Sequence, residues 1–219
     1  MAYRKILFAN NEVYHVVNRG VEEREIFLDK RDYTRFLDAF IYYQKAKPPA
    51  RFSFRGRLNK EVLARLTTLE NLVEIICYCL MPNHFHFLLR QTKNEGISLF
   101  ISRLSNSYTR YFNTRHRRTG HLLQGPFKAK RIETEEQLIH VSRYIHLNPA
   151  VGFLVKDLNH YPCSSFLEYV KKDEEKGICQ RESVLAQFSS PKEYEKFVCD
   201  QKDYALKLKE IQRITLELG

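Results

Sequence analysis

The segment from Asn71 to Gln91 constrains the fold of this chain more than any other. Two apolar runs, Asn71 to Leu80 and His84 to Gln91, flank the tight Met81-Pro82-Asn83 connection, which reads as a hairpin of two buried strands. The longest pure apolar run, Ile75 to Met81, is broken upstream by Glu74 and ended by Pro82. Side chains repeat every two residues along a strand, so His84 and His86 point to one face. Two imidazoles on a rigid strand can hold one divalent ion between them, with Phe85, Phe87 and Leu88 fixing the backbone against the core. A bare His-x-His is short, and two unrelated polar residues on a half-buried strand give the same pattern.

The rest of the chain supplies mixed α and β signals. Val13 to Asn18 alternates as a strand and stops at Arg19-Gly20, and Asp29 caps a helix that runs to about Lys45 before Lys47-Pro48-Pro49. Ile97 to Asn113 carries Leu99, Phe100, Leu104, Tyr108, Tyr111 and Phe112 at helical spacing. An extended stretch from His121 to Ile132 follows. Thr134 with Gln137 forms a capping-box pattern opening a helix over Glu135 to about Leu147, which Asn148-Pro149 ends. Val151 to Ser165 reads as loop, and a last helical region opens at Pro191. This order predicts an antiparallel α+β sheet with helices on one face.

With 219 residues, 43% of them hydrophobic, the chain can build one sizeable core. No apolar span of about twenty residues occurs, which excludes a membrane-spanning helix. The N-terminus has too short an apolar stretch for a signal peptide, so a cytoplasmic protein is expected. Five cysteines at irregular spacing fit reduced thiols, with Cys77 and Cys79 in the core strand.

The net charge of +10 is unevenly placed. From Gly96 to Ile132 there is no Asp or Glu, while Arg103, Arg110, Arg115, Arg117, Arg118, Lys128, Lys130 and Arg131 supply eight positive charges. A surface without a partner normally mixes both signs. Interleaved with Tyr108, Tyr111, Phe112 and Phe127, this stretch looks built to meet a polyanion, cations on phosphates and rings on unpaired bases. The plainer reading makes the rings core and the charges solubilising.

His140, Tyr144 and Asn148 stand four apart, along one face of the helix that ends at Pro149. A tyrosine is a workable nucleophile when a metal and nearby cations stabilise its phenolate and the phosphate it attacks. Asn148 could offer its amide oxygen to the same ion. A rim tyrosine and an ordinary Asn-Pro helix stop would look the same.

In order along the chain, the Val13-Tyr14-His15-Val16-Val17-Asn18-Arg19-Gly20 opening, Met-Pro-Asn before His84-Phe85-His86, Tyr108-x-x-Tyr-Phe-Asn113, the Gly120 to Lys128 segment, Arg143-Tyr-Ile-His-Leu-Asn-Pro149 and Tyr161-Pro-Cys-Ser-Ser165 resemble the single-tyrosine HUH transposases. The closer match is to the REP-associated tyrosine transposases, and it covers roughly residues 10 to 166. The resemblance implies a ferredoxin-like antiparallel sheet with helices packed on it. It divides the chain into a transposase domain over 1–166 and a helical C-terminal extension over 167–219. It implies magnesium or manganese held by His84, His86 and Asn148, with Tyr144 as nucleophile. The implied substrate is single-stranded DNA beside a hairpin, cut to leave a 5′-phosphotyrosine and a free 3′-hydroxyl.

His140 and Tyr108 are candidates for auxiliary roles, against the plainer readings of a helix-surface histidine and a core or DNA-stacking ring. The segment from Lys47 to Lys60 looks like an insertion without a family role, and the extension either packs on the core or lengthens the DNA contact. A monomer and a homodimer fit the pattern equally. Two other readings stay open: a binding protein that has lost cleavage, and a metal-dependent phosphohydrolase that uses an activated water.

Overall fold

Strands β1 (Val13–Arg19), β2 (Val73–Met81), β3 (His84–Gln91) and β4 (Lys128–Ile132) form one antiparallel sheet in the order β2-β3-β1-β4. Helices α1 (Lys30–Tyr43) and α2 (Lys60–Thr68) lie between β1 and β2, α3 (Gly96–Arg115) precedes β4, and α4 (Glu135–Val151) follows it. Three short helices follow among the described residues: α5 (Phe166–Val170), α6 (Glu182–Leu185) and α7 (Pro191–Cys199). With α2 set aside, the succession through β4 is the βαββαβ order of a ferredoxin-like fold, as the sequence reading expects. The computed structural model describes residues 7–171 and 177–202; residues 172–176 and the extension beyond 202 lie outside them.

Local chemistry sets the element ends. The Asp29 carboxylate accepts from the Arg31 and Asp32 N–H groups at the start of α1, and the Thr134 hydroxyl accepts from Gln137 N–H at the start of α4. The Gln137 amide reaches back to Glu133 N–H, one residue beyond a reciprocal capping box. Gly96 opens α3 where a Cβ would fall 2.2 Å from the Leu72 carbonyl oxygen, so only glycine fits. The Pro82-Asn83 turn of the hairpin is clamped from outside. Gly20 N–H donates to the Asn83 carbonyl at 2.8 Å, and Ile26 and Phe27 N–H donate to that of Pro82 at 2.7 and 3.1 Å.

The two faces of the sheet differ in kind. Phe85 and Phe87 meet Phe36 and Phe40 of α1, and Phe40 in turn meets Phe100 of α3, with ring centroids 4.6 to 5.5 Å apart for Phe36–Phe85, Phe40–Phe87 and Phe40–Phe100. A bulge in β2 pairs Ile75 with Leu89 and Cys77 with Leu88. Beyond it Tyr78 faces α1, while Cys77 and Cys79 share the opposite face with His86. The expectation of helices on one face is corrected here: α4 packs across β2 and β3 on the second face. Cys77, Cys79, Leu88 and Val17 make that face half apolar, and it too needs cover. None of the five cysteines is paired.

Pro149 does not end α4, which continues to Val151. A proline removes one donor, here the one that would reach Ile145. Gly152 N–H donates to Asn148 and Leu154 N–H to Pro149, so the last turn still closes over a buried Pro149 and Ala150.

The described part of the C-terminal extension packs on the core. The outer edge of β2 is covered: Leu80 N–H donates to Cys163, Tyr78 accepts from Ser165 N–H, and Ile75 accepts from Gln180 N–H at 2.7 to 3.0 Å. Behind α4, Tyr194 of α7 donates its hydroxyl proton to Ser142 Oγ at 3.0 Å and accepts from His146 Nδ1 at 2.8 Å. The other His146 nitrogen meets Ser165 Oγ at 2.9 Å, and Ser165 accepts from Tyr78 N–H. All members are buried, and burial holds His146 down to about 3. Tyr194→Phe leaves His146 and Ser142 each short of a partner, so we expect a loss of about 1–3 kcal/mol, read from the urea midpoint. The unfolded chain binds a proton on this histidine below its ordinary 6.5 while the folded one does not. The contribution is therefore whole above that pH and declines as pH falls from 6.5 toward 3. An unchanged midpoint for Tyr194→Phe would mean that the network does not hold α7.

Candidate active site

Two neighbouring strands bring three imidazoles together on the α4 face. β3 presents His84 and His86, with ring centroids 4.9 Å apart. β1 pairs antiparallel to β3 with Val17 opposite His86 and His15 opposite Leu88. That register sets His15 beside His86, Nε2 to Nδ1 at 3.0 Å. His15 was not singled out by the sequence reading, because only the pairing of two distant strands makes it a neighbour.

Tyr144 projects from α4 over this group. Its ring meets His86 edge-on at 5.4 Å and His15 at 6.0 Å, and it keeps 53% of its surface exposed. Asn148, one turn further on, donates from Nδ2 to the Tyr144 carbonyl at 2.8 Å. Hence the structure brings His84, His86, Tyr144 and Asn148 to one place.

Burial sets the protonation states. It holds His15 down to about 4, and burial followed by the neighbouring His84 and His15 holds His86 down to about 2. Both rings are neutral at physiological pH. The Asn83 amide oxygen accepts from His84 Nδ1 at 2.6 Å, which makes Nε2 the nitrogen of that ring that can offer a lone pair. Asn83 also donates to the Glu23 carbonyl, which anchors that amide. Burial raises the Tyr144 phenol, offset in part by the Asn148 side chain.

Among the described residues no group of three or more His, Cys, Asp or Glu side chains surrounds one point. The donors present are two imidazole nitrogens and the amide oxygen of Asn148. Such a set fits a divalent ion that completes its shell with water and phosphate oxygens.

The other candidates separate. His140 accepts from Arg143 at 2.7 Å and stands 5.6 Å from the Phe197 ring, on the side of α7. Tyr108 is corrected to a core residue: it is fully buried on the far face, donates to the Ile26 carbonyl, and burial raises its phenol far above the ordinary range. The acid-free stretch does not form one surface either. Lys128 and Lys130 pair opposite Val17 and His15, on the active-site face. Arg103 and Arg110 lie on α3, behind the sheet, where Arg103 donates to the Ala46 carbonyl. Arg118 donates to Asn113 and His121, and Arg131 pairs with Glu12. Arg117 is exposed.

Arg115 is corrected from a DNA contact to a structural cation. Its guanidinium reaches Asp29 and the fully buried Asp32, each at 2.6 Å. The bond to Arg115 holds Asp29 down to about 2.

The fold and the site together define an α+β protein with a histidine pair on a central strand beneath an exposed helical tyrosine. The family model described as "Transposase IS200 like" matches residues 51–148, a span that takes in the hairpin, α3, β4 and α4 as far as Asn148. That match falls on the same part of the chain as the resemblance to single-tyrosine transposases and supports it. A solved structure of a REP-associated tyrosine transposase bound to a REP hairpin covers 87% of this chain and 96% of its own at 17% identity, with a TM-score of 0.59, which shows a shared fold. A transposase structure from Deinococcus radiodurans R1 covers 66% of this chain and 95% of its own at 13% identity, TM-score 0.36. No curated protein matches the chain. No helix among the described residues is long and apolar enough to cross a membrane.

Arg115 and Arg117 provide a contrast. Arg115→Ser strips a buried carboxylate of its counter-charge and should lower the thermal midpoint clearly, whereas Arg117→Ser should leave it within a degree or so of wild type. Equal midpoints for the two variants would return Arg115 to the surface set.

Proposed function

We propose that the protein is a metal-dependent single-stranded DNA endonuclease and strand transferase that cuts beside DNA hairpins through Tyr144. The observation that carries this reading is the edge-on seating of the Tyr144 ring over His86 and His15, with Asn148 one turn away. The hairpin substrate is taken from the bound REP hairpin of the structure that shares the fold.

In this reading the Tyr144 oxygen attacks the scissile phosphorus. The bond to the 3′-oxygen breaks, the enzyme keeps a 5′-phosphotyrosine, and the departing strand takes up a proton as a 3′-hydroxyl. Because one phosphodiester replaces another, a 3′-hydroxyl can return and rejoin the strands without a nucleotide cofactor. His84, His86 and Asn148 would hold magnesium or manganese, whose charge would polarise the phosphate and favour the phenolate. His15 is a positioning residue: its bond to His86 Nδ1 turns the Nε2 lone pair of that ring outward. Lys128 and Lys130, on the same face, meet the phosphates of the strand entering the site. Burial raises the Tyr144 phenol, so positive charge has to arrive with the ion and the lysines before it can ionise.

Tyr144→Phe removes one oxygen and little packing. It should reduce covalent DNA adduct on denaturing gels to background, with hairpin affinity kept, since affinity rests on contacts elsewhere. A persisting adduct would overturn the nucleophile assignment. A cut product without any adduct would favour the activated-water reading.

His15→Phe keeps a ring but loses the bond to His86. Loss of an outer partner of this kind costs about 10–100-fold in metal affinity or activity. We expect adduct formation to need correspondingly more manganese, with recovery at saturating ion. A lower plateau at an unshifted manganese midpoint would assign His15 a role in packing alone.

A further inference from the structure

The face of the sheet behind Tyr144 holds a second concentration of chemistry. A cleft of about 990 Å³ opens between α1, the segment from Ala46 to Ser53, and α3. Arg31, Arg35, Lys47, Arg51, Arg103 and Arg110 line it beside Arg115, and no Asp or Glu does. Of these cations Arg115 is the one tied to carboxylates among the described residues. Four of these seven cations, Arg31, Arg35, Lys47 and Arg51, come from α1 and the insertion, outside the acid-free stretch of the sequence.

Arg35 gives the cleft its direction. Its guanidinium lies 4.1 Å from the Phe52 ring centroid and 5.2 Å from that of Tyr111, and Nη2 donates to Ser107 at 3.2 Å. Nη1 is buried without a hydrogen-bond partner. A cation taken partly from water and left short of a partner is costly, and an anion in the cleft would supply the missing counter-charge.

Next to the cleft, between α3 and the 121–127 loop, lies a slot of about 350 Å³ with no charged side chain apart from what His121 can carry. Ser98, Ser105 and Thr109 line it opposite the Phe127 ring, and the Ser105 hydroxyl is buried without a partner. Ser102 and Asn106 line both the slot and the cleft, so the two are continuous over α3. Cations beside uncharged donors, acceptors and a ring are what a nucleotide strand asks for, with phosphates on one side and an unstacked base on the other. An acidic polypeptide would use the cleft and leave the slot empty.

We propose that this face is a second DNA site, in which the cleft takes backbone phosphates of single-stranded DNA and the slot takes one unstacked base, remote from the nucleophile. The choice of DNA as the strand rests on the transposase reading; the site itself rests on the cleft and slot. The edge strand β4 divides the two faces, so a strand passing around it could engage both.

The test uses the full chain and fluorescein-labelled oligo(dT), followed by anisotropy over a potassium chloride series. Arg31, Lys47 and Arg51 are exposed and outside the catalytic group. R31Q/K47Q/R51Q should weaken binding and reduce the slope of log affinity against log salt by about 2, near 0.7 for each single-strand phosphate that is no longer neutralised. Adduct formation at saturating hairpin substrate should match wild type. N106L should weaken oligo(dT) binding and leave binding of an abasic strand of equal length unchanged. An unchanged affinity and slope for the triple variant, with normal adduct formation, would overturn the second site and leave the proposed chemistry intact. The expected loss in the triple variant, in a protein whose wild type forms no adduct, would support the site and sink the chemistry. Polyglutamate bound as tightly as oligo(dT), and released by the same triple substitution, would overturn DNA as the ligand.

Discussion

The antiparallel pairing of β1 with β3 is the constraint on which the rest of the structure depends. Its register places Val16 opposite Phe87 and Val17 opposite His86. A slip of one residue would turn every side chain of β1 to the other face. Tyr14 and Val16 would then leave the core, and His15 would lose His86. The same ladder therefore fixes the aromatic layer under α1 and α3 and assembles the imidazoles under α4. Core and site are specified by one set of hydrogen bonds, so neither can drift without the other.

Much of this was legible in the sequence where the signal is local. The hairpin, the Asp29 and Thr134 caps, and the shared face of His84 and His86 follow from spacing and side-chain chemistry within a few residues. What was not legible depends on distant pairs. Arg115 looked free because Asp32, its partner, stands 83 positions earlier. Arg131 looked free because Glu12 lies 119 positions away. A run of like charge in sequence says nothing about which side of a sheet each member occupies, and here Arg103 and Arg110 of α3 lie behind the sheet while Lys128 and Lys130 of β4 lie on the active-site face. The stop at Pro149 failed for a related reason: burial of Pro149 and Ala150 in the last turn of α4 outweighs one missing hydrogen bond.

The C-terminal helices bear on the site although none of their residues enters it. Successive helical residues turn by about 100°, so Tyr144 and His146 point to nearly opposite sides of α4. His146 is gripped from behind by Tyr194 and Ser165, and Ser165 is itself bound to β2. These bonds are directional, unlike apolar contacts, and they fix the rotation of α4 about its axis. That rotation aims Tyr144 at His86. A polar network at this place gives up some stability relative to an apolar one and gains a single orientation.

Electrostatically the site at rest is poised against ionisation. The burial that keeps His15 and His86 neutral, and so preserves lone pairs on nitrogen, is the same burial that raises the Tyr144 phenol. One environment cannot lower a phenol and an imidazole together by desolvation, because it disfavours charge of either sign. Only positive charge brought in from outside the histidine group separates the two effects: it stabilises a phenolate while leaving the imidazoles unprotonated. Lys128 and Lys130 are near enough in register to contribute, and a bound divalent ion would contribute more. On the proposed reading, a tyrosine in such a place stays a phenol until that positive charge arrives, which would tie the reactivity of Tyr144 to the binding of the ion.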